Sequence, residues 1–263
     1  MLVVIVRIGL YRPGRGQRSP RLPTSEITPF RVVVMPAYQA ERTLGQTVGD
    51  LPLGSVDHIL LVDDCSRDGT VALARSLGLD VRARLSNGGY GANQKTCYQE
   101  ALALGATVVV LLHPDYQYDP RAVPRLLEPI LTGAADMTFG SRFADRADPR
   151  SGGMPAYRYL GNRTTTWLEN LLLGTHFTET HSGMRAYSRA VLEQLPMSEY
   201  SDDFLFDTQM LVGAHRTGFR IAEVPIPTRY SRDSSSISVR RSIVYVVQSL
   251  RECWKSRRDS GHR

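Results

Sequence analysis

The sequence predicts an α/β domain with a mostly parallel central sheet and helices on both of its faces. Short apolar runs bounded by Pro, Asp or Gly read as buried strands, and helix-like segments of ~10–15 residues separate them. The length of 263 residues is enough to bury a full core.

Residues 1–30 are expected to form a flexible basic leader. Its first eleven residues read as a strand or a failed signal, because Arg7 interrupts the apolar run and no small-residue cleavage site follows. Residues 12–29 are rich in Pro, Gly, Arg and Ser.

The domain is expected over residues 31–235. Its strands are Val32–Met35, Ile59–Val62, Val108–Leu112 and Met137–Phe139, with a further strand end before Asn87. Helices are expected at Glu41–Asp50, Asp68–Leu77, Gly91–Leu104 and Pro120–Leu131. The rhythm changes after residue 140. Arg142–Pro155 is polar and Gly/Pro-rich, so it reads as a loop. A helix follows at Arg158–Leu173, then a strand at Met184–Tyr187, a helix at Asp203–Arg216 and a strand at Arg220–Pro225. Residues 236–263 complete the chain as a basic amphipathic helix and tail, with Ile243, Val247, Leu250 and Trp254 at i, i+4, i+7 and i+11.

Composition narrows the possibilities. With 42% apolar and 22% charged residues the chain is neither collagen-like nor disordered. Three cysteines, far apart and without a C-x-x-C, argue against a disulfide framework or a Cys-zinc site and suit a reducing compartment. The net charge of +6 is concentrated at the ends, so residues 31–230 are mildly acidic. Nucleic-acid binders carry positive charge on the folded domain, so none is expected as a partner. The charge-free stretch Ser242–Leu250 is far short of the ~20 residues a spanning helix needs.

In an open α/β sheet, ligands sit at the carboxyl ends of the strands. Four consecutive strand ends here carry polar or Gly-rich turns: Pro36-Ala37-Tyr38-Gln39-Ala40-Glu41, Asp63-Asp64-Cys65-Ser66-Arg67-Asp68, Asn87-Gly88-Gly89-Tyr90-Gly91 and His113-Pro114-Asp115-Tyr116-Gln117. Asp63-Asp64 suits a helix-capping turn or acceptors for a nucleobase or ribose. The glycine turn is a plain loop or lets the backbone approach a diphosphate. It is not G-x-G-x-x-G, which removes the main support for a dinucleotide site. If the chain is extended there, His113, Asp115 and Gln117 point the same way and converge on a divalent cation; the alternative is a solvated turn before Asp119-Pro120.

Taken together, VVVMPAYQAE, LLVDDCSRDGT, NGGYGANQK, LLHPDYQYDP, GSRF, HSGMRAYSR and FRIAEVPIPTRY resemble glycosyltransferase family 2 over about residues 31–235. The nearest likeness is to the polyprenyl-phosphate (dolichyl-phosphate) hexosyltransferases. The resemblance implies a single nucleotide-diphospho-sugar transferase domain of GT-A type, a nucleoside-diphosphate sugar donor and a divalent metal, Mn or Mg. Pro36, Ala37, Tyr38 and Glu41 would then line the base and ribose pocket, with Asp63 and Asp64 touching base or ribose. Gly88, Gly89 and Gly91 would pass close to the nucleotide. Asp115 would be the metal ligand, with Gln117 and His113 as further candidates. Arg142 and Arg185 would meet phosphate oxygens, with Arg229 a weaker candidate.

One departure stands out: the family's first D-x-D position is usually Asp, and here it is His113. An imidazole there predicts a relative preference for Mn²⁺ over Mg²⁺. The implied reaction is an in-line, inverting displacement at the anomeric carbon. A polyprenyl phosphate acceptor needs no general base. A hydroxyl acceptor does, and Asp207 is the candidate, with Asp202 and Asp203 nearer to capping roles. The C-terminal helix either lies on an anionic bilayer, as a peripheral contact at the cytoplasmic face, or packs Ile243, Val247 and Trp254 onto the domain. Three other classes compete, of which a membrane-surface structural protein explains the basic tail and none of the strand-end motifs. A sugar nucleotidyltransferase should carry a Gly-rich basic loop where Pro36-Ala37-Tyr38 stands. A non-catalytic nucleotide-sugar binder should lack Asp115.

Overall fold

The computed structural model describes residues 9–11, 28–144, 154–227 and 239–260. Eight strands form one sheet: β1 (Gly9–Tyr11), β2 (Arg31–Ala37), β3 (His58–Asp63), β4 (Asp80–Ala83), β5 (Val108–Leu111), β6 (Met137–Ser141), β7 (Arg185–Ser188) and β8 (Ile221–Pro225). Their spatial order is β1-β8-β6-β7-β5-β2-β3-β4. The β2–β3, β3–β4, β2–β5 and β6–β8 pairs are parallel, while β7 runs antiparallel to both neighbours and β1 to β8.

Two strands depart from the expectation. β4 has no apolar run; its residues are half-buried at the sheet edge, where a polar sequence is tolerated. β1 lies in the leader, and its backbone pairs with Ile221–Glu223, so that part of the leader belongs to the sheet. Residues 12–27, 145–153 (most of the expected 142–155 loop) and Arg229 lie outside the described residues.

Alternation along the strands divides the core. Val32, Val34, Leu60, Val62, Val109 and Leu111 face one way. They meet helices α3 (Tyr90–Ala103), α6 (Arg189–Gln194) and α7 (Leu205–Thr217). Val33, Met35, Leu61, Val110 and Leu112 face the other way, against α1 (Glu41–Gly49), α2 (Thr70–Ser76) and α4 (Val123–Leu131). Helix α5 (Ala156–Leu173) packs with α8 (Val239–Ser260), which also packs on α7.

The packing of α8 shows which of its faces is buried. Ser249, Cys253 and Ser256 are buried, whereas Ile243, Val247 and Trp254 are exposed. The alternative in which the apolar stripe packs on the domain fails, for a physical reason. The seam is polar: Ser249 Oγ donates to buried Glu169, and Tyr245 Oη bonds Thr208 Oγ1 at 2.9 Å. Serines at 242, 249 and 256 let α8 approach closely.

Candidate active site

The loops after β2, β3, β4 and β5 open onto one cleft of about 1070 Å³, closed on its far side by the start of α7 and by α5 and α8. A cleft of this size suits a ligand larger than a simple sugar. Three non-glycine residues with left-handed backbone occur among the described residues: Gln39 (φ 52°), Cys65 (φ 65°) and Tyr116 (φ 57°). Each lies in one of these loops, and such strain gathers where structure is held for a purpose.

The 113–117 segment is a tight turn rather than extended chain, so the alternation argument fails there. His113, Asp115 and Gln117 nevertheless all line the cleft. Asp115 Oδ1 accepts from Gln117 N at 3.0 Å, and Thr43 Oγ1 on α1 donates to Pro114 O at 2.5 Å. Tyr116 is anchored through its hydroxyl to Asp50. The turn is thus held from below by α1.

On the opposite wall, Asp64 lines the cleft but its carboxylate braces the glycine turn. Oδ1 accepts from Gly88 N at 2.9 Å and Oδ2 from Gly89 N at 3.0 Å. Gly89 has φ 94°, which a side chain would strain. Gly91 does not line the cleft. A Cβ there would stand 2.5 Å from Ser201 O, and Gly91 N donates to Asp202 O at 2.8 Å.

Other expected site residues stand elsewhere. Pro36, Ala37 and Tyr38 line the cleft, but Glu41 is turned to α2, where its carboxylate accepts from Gly69 N at 2.9 Å. Asp63 is buried behind the wall and accepts from Ser66 N at 2.9 Å. Arg185 is fully buried. Its guanidinium donates to the carbonyls of Ser182 (2.9 Å), Asp207 (2.6 Å) and Thr180 (3.1 Å), so the expected contact with phosphate is replaced by a structural role under the floor. Arg142 does line the cleft, and its guanidinium grips buried Glu179, with Nε to Oε1 at 2.8 Å. Burial pushes the Glu179 carboxyl up, but Arg142 outweighs it and holds the pKa below the ordinary value.

The floor carries a polar chain that the sequence reading missed. Tyr90 Oη donates to Asp207 Oδ2 at 2.8 Å and lies 3.2 Å from His113 Nε2, with the two rings stacked at 5.4 Å. Tyr90 donates its one hydroxyl proton to Asp207 in that bond, so the His113 tautomer that satisfies the contact carries its proton on Nε2 and its lone pair on Nδ1. Burial, then the Asp207 charge, pushes the Tyr90 pKa well up, so the phenol stays protonated. Asp207 Oδ1 is buried without a hydrogen-bond partner among the described residues. His181, from HSGMRAYSR, also lines the cleft, with Nδ1 2.9 Å from Tyr245 Oη on α8.

Among the described residues no group of three or more His, Cys, Asp or Glu side chains is placed to hold a metal ion. The turn instead offers a carboxylate (Asp115), an amide oxygen (Gln117) and one imidazole nitrogen of His113 to the same cleft. Oxygen donors with room left for ligand phosphates fit Mg²⁺ or Mn²⁺, and the imidazole suits Mn²⁺ better.

The glycosyl transferase family 2 model matches residues 32–196, more than half of the chain. The chain is a family 2 glycosyltransferase. The polyprenol monophosphomannose synthase of Mycolicibacterium smegmatis is 31% identical over 81% of this glycosyltransferase and 83% of its own length. A UDP-N-acetylglucosamine–dolichyl-phosphate N-acetylglucosaminyltransferase of Methanococcus voltae is 26% identical over 77% and 86%. Among solved structures, glucosyl-3-phosphoglycerate synthase of Mycobacterium tuberculosis with Mg²⁺ and uridine diphosphate matches with a TM-score of 0.66 at 22% identity, covering 86% of this chain and 79% of that one. The same enzyme with Mn²⁺, UDP-glucose and phosphoglyceric acid gives 0.65 at 21%, covering 86% and 80%. The fold of this glycosyltransferase is accordingly of the GT-A type. No helix among its described residues is long and apolar enough to cross a membrane.

Proposed function

We propose that this glycosyltransferase moves a hexose from a nucleoside-diphosphate sugar to a polyprenyl phosphate, with inversion and with the help of a divalent metal. One observation carries the reading. The Pro36–Tyr38 segment, Asp64 with Gly88-Gly89, and the His113–Gln117 turn all face one cleft whose far side holds Asp207, α5 and α8. The relatives named as polyprenol- and dolichyl-phosphate transferases support the acceptor class.

In this reading Pro36, Ala37 and Tyr38 frame the base and ribose, and the Gly88-Gly89 backbone, braced by Asp64, lies along the nucleotide. Asp115 and Gln117, with His113 Nδ1, would hold Mg²⁺ or Mn²⁺. When bound, the ion supplies positive charge to the diphosphate as it leaves. Arg142, fixed by Glu179, presents its remaining surface to the cleft and favours anionic ligands there. A phosphate oxygen of the lipid forms the new bond to the anomeric carbon. The bond to the diphosphate breaks with its electron pair staying on the diphosphate oxygen. No proton moves, so no base is required. The protein would work peripherally at the cytoplasmic face of a membrane.

A second reading has its own support. Asp207 lines the cleft and, among the described residues, its Oδ1 accepts no hydrogen bond, which leaves it available as the base a hydroxyl acceptor needs, and the synthase it resembles in fold is described with phosphoglyceric acid. Labelled UDP- and GDP-hexoses offered with polyprenyl phosphate or with soluble hydroxyl compounds decide between them. Label in the organic phase supports the lipid acceptor; label confined to soluble product supports the hydroxyl.

A further inference from the structure

The face that α8 leaves outside the protein is the greasy one, and α5 does the same beside it. On α8, Ile243 is 62% exposed and Trp254 53%. On α5, Leu160 is 67% exposed and Trp167 62%, with Tyr157 and Leu171 also exposed. Soluble proteins scatter single apolar residues over their surface but rarely line them along two packed helices.

The two stripes are neighbours. Arg257 Nη1 reaches Leu171 O on α5 at 3.3 Å, so that flank of α8 faces α5. Arg241 pairs with Asp203, and Asp259 with Arg216, marking the opposite flank as the α7 side. At about 100° per residue, Ile243, Val247, Leu250 and Trp254 fall on the α5 flank. One end of the joint surface is the cleft itself, because Tyr157, Gly161 and Ile243 line its mouth. Exposed Arg163, Arg240, Arg251 and Lys255 surround the stripes.

We infer that the outer face of α5 and α8 is a docking surface for an anionic lipid bilayer, on which the protein lies with its cleft mouth at the headgroup level. This deepens the lipid-acceptor reading and rests on it for its purpose. Basic side chains beside a broad apolar stripe complement anionic headgroups over acyl chains. A second copy of the chain is a poorer occupant, since a two-fold contact would set this basic surround against itself.

Both tryptophans of the chain, Trp167 and Trp254, are on this face, so emission reports it directly. The full chain is mixed with phosphatidylcholine vesicles with and without phosphatidylglycerol, and followed by flotation and fluorescence. The expected result is flotation only with the anionic vesicles, a blue shift of the emission, and release in high salt. The triple variant Leu160→Ser, Trp167→Ser, Leu171→Ser and the double variant Val247→Ser, Trp254→Ser, none of them at a residue that lines the cleft, each lose about tenfold in vesicle binding. Leu53→Ser, on a distant exposed turn, loses none. Both face variants keep wild-type turnover of a short-chain, water-soluble prenyl phosphate. Absent flotation, or equal flotation on neutral vesicles, overturns the surface. So does a dimer by light scattering that the face variants dissociate. Vesicle binding without transfer to any prenyl phosphate would instead sink the acceptor reading and leave the surface standing.

Discussion

Tyr90 Oη donates to Asp207 Oδ2 at 2.8 Å, across a floor that links the first residue of α3 to the first turn of α7. The bond joins the two sides of the cleft, since Tyr90 also holds His113 beside the turn that carries Asp115. Replacing Tyr90 by Phe leaves a buried carboxylate short of a donor and frees the His113 ring. A loss of about 1.5–3 kcal/mol in unfolding free energy is expected, read by urea titration. An unchanged midpoint would mean that the bond contributes nothing.

Asp207→Asn separates the two acceptor readings. A lipid phosphate brings its own anionic oxygen, so turnover with polyprenyl phosphate should stay within about tenfold of wild type. A hydroxyl acceptor loses its base and with it about 10²–10⁴ in kcat. Steady-state rates with both acceptors give the answer.

His113→Asp restores a hard oxygen ligand in place of imidazole nitrogen. The ratio of activity in Mn²⁺ to activity in Mg²⁺ should fall in the variant, and Mg²⁺ titrated with nucleoside diphosphate present should bind more tightly. A ratio that stays fixed would mean that His113 does not touch the ion.

Glu179 gives a pH dependence of defined sign. Its folded pKa is held below the ordinary 4.5, against burial, by Arg142. As acid is added the unfolded chain takes up the proton first, so stability present above about pH 4.5 is lost as the pH falls through the folded value. Glu179→Gln should be less stable at neutral pH and lose less on acidification. Tm against pH for the two proteins checks this; parallel curves would contradict it.

Gly91→Ala should cost about 1–3 kcal/mol, because the added carbon would meet backbone on both sides of Asp202 and push the 201–203 segment away from α3. Gly161→Ala, with nothing within 4 Å of its Cβ, is the control and should be neutral or slightly stabilising. Thermal unfolding of both distinguishes a packing constraint from a general intolerance of substitution.

Much of this architecture was legible because strands such as Val32–Met35 and Val108–Leu112 are buried on both faces and so appear as unbroken apolar runs. The glycine turn and the His113–Gln117 segment were also readable as strand ends. What lay beyond reach depended on partners distant in sequence. Arg185 looks like a phosphate ligand until the carbonyls of Thr180, Ser182 and Asp207 are seen to surround it. Asp64 and Glu41 look like ligand acceptors, yet each accepts from a glycine N–H in another loop. Tyr90 follows a glycine pair and resembles any helix-starting aromatic; only its contacts with His113 and Asp207 mark it. The stripe on α8 was plain in the sequence, but whether it faced in or out turned on three serines spaced seven residues apart, of which Ser249 bonds buried Glu169 on another helix.

The most direct test is a crystal grown with Mn²⁺ and a nucleoside diphosphate, with diffraction measured at the manganese absorption edge. A single anomalous peak against Asp115 and Gln117, with the diphosphate beside it and the base between Tyr38 and the Gly88-Gly89 turn, is the expected result. Manganese bound elsewhere, or a nucleotide outside this cleft, would contradict the assignment of the site.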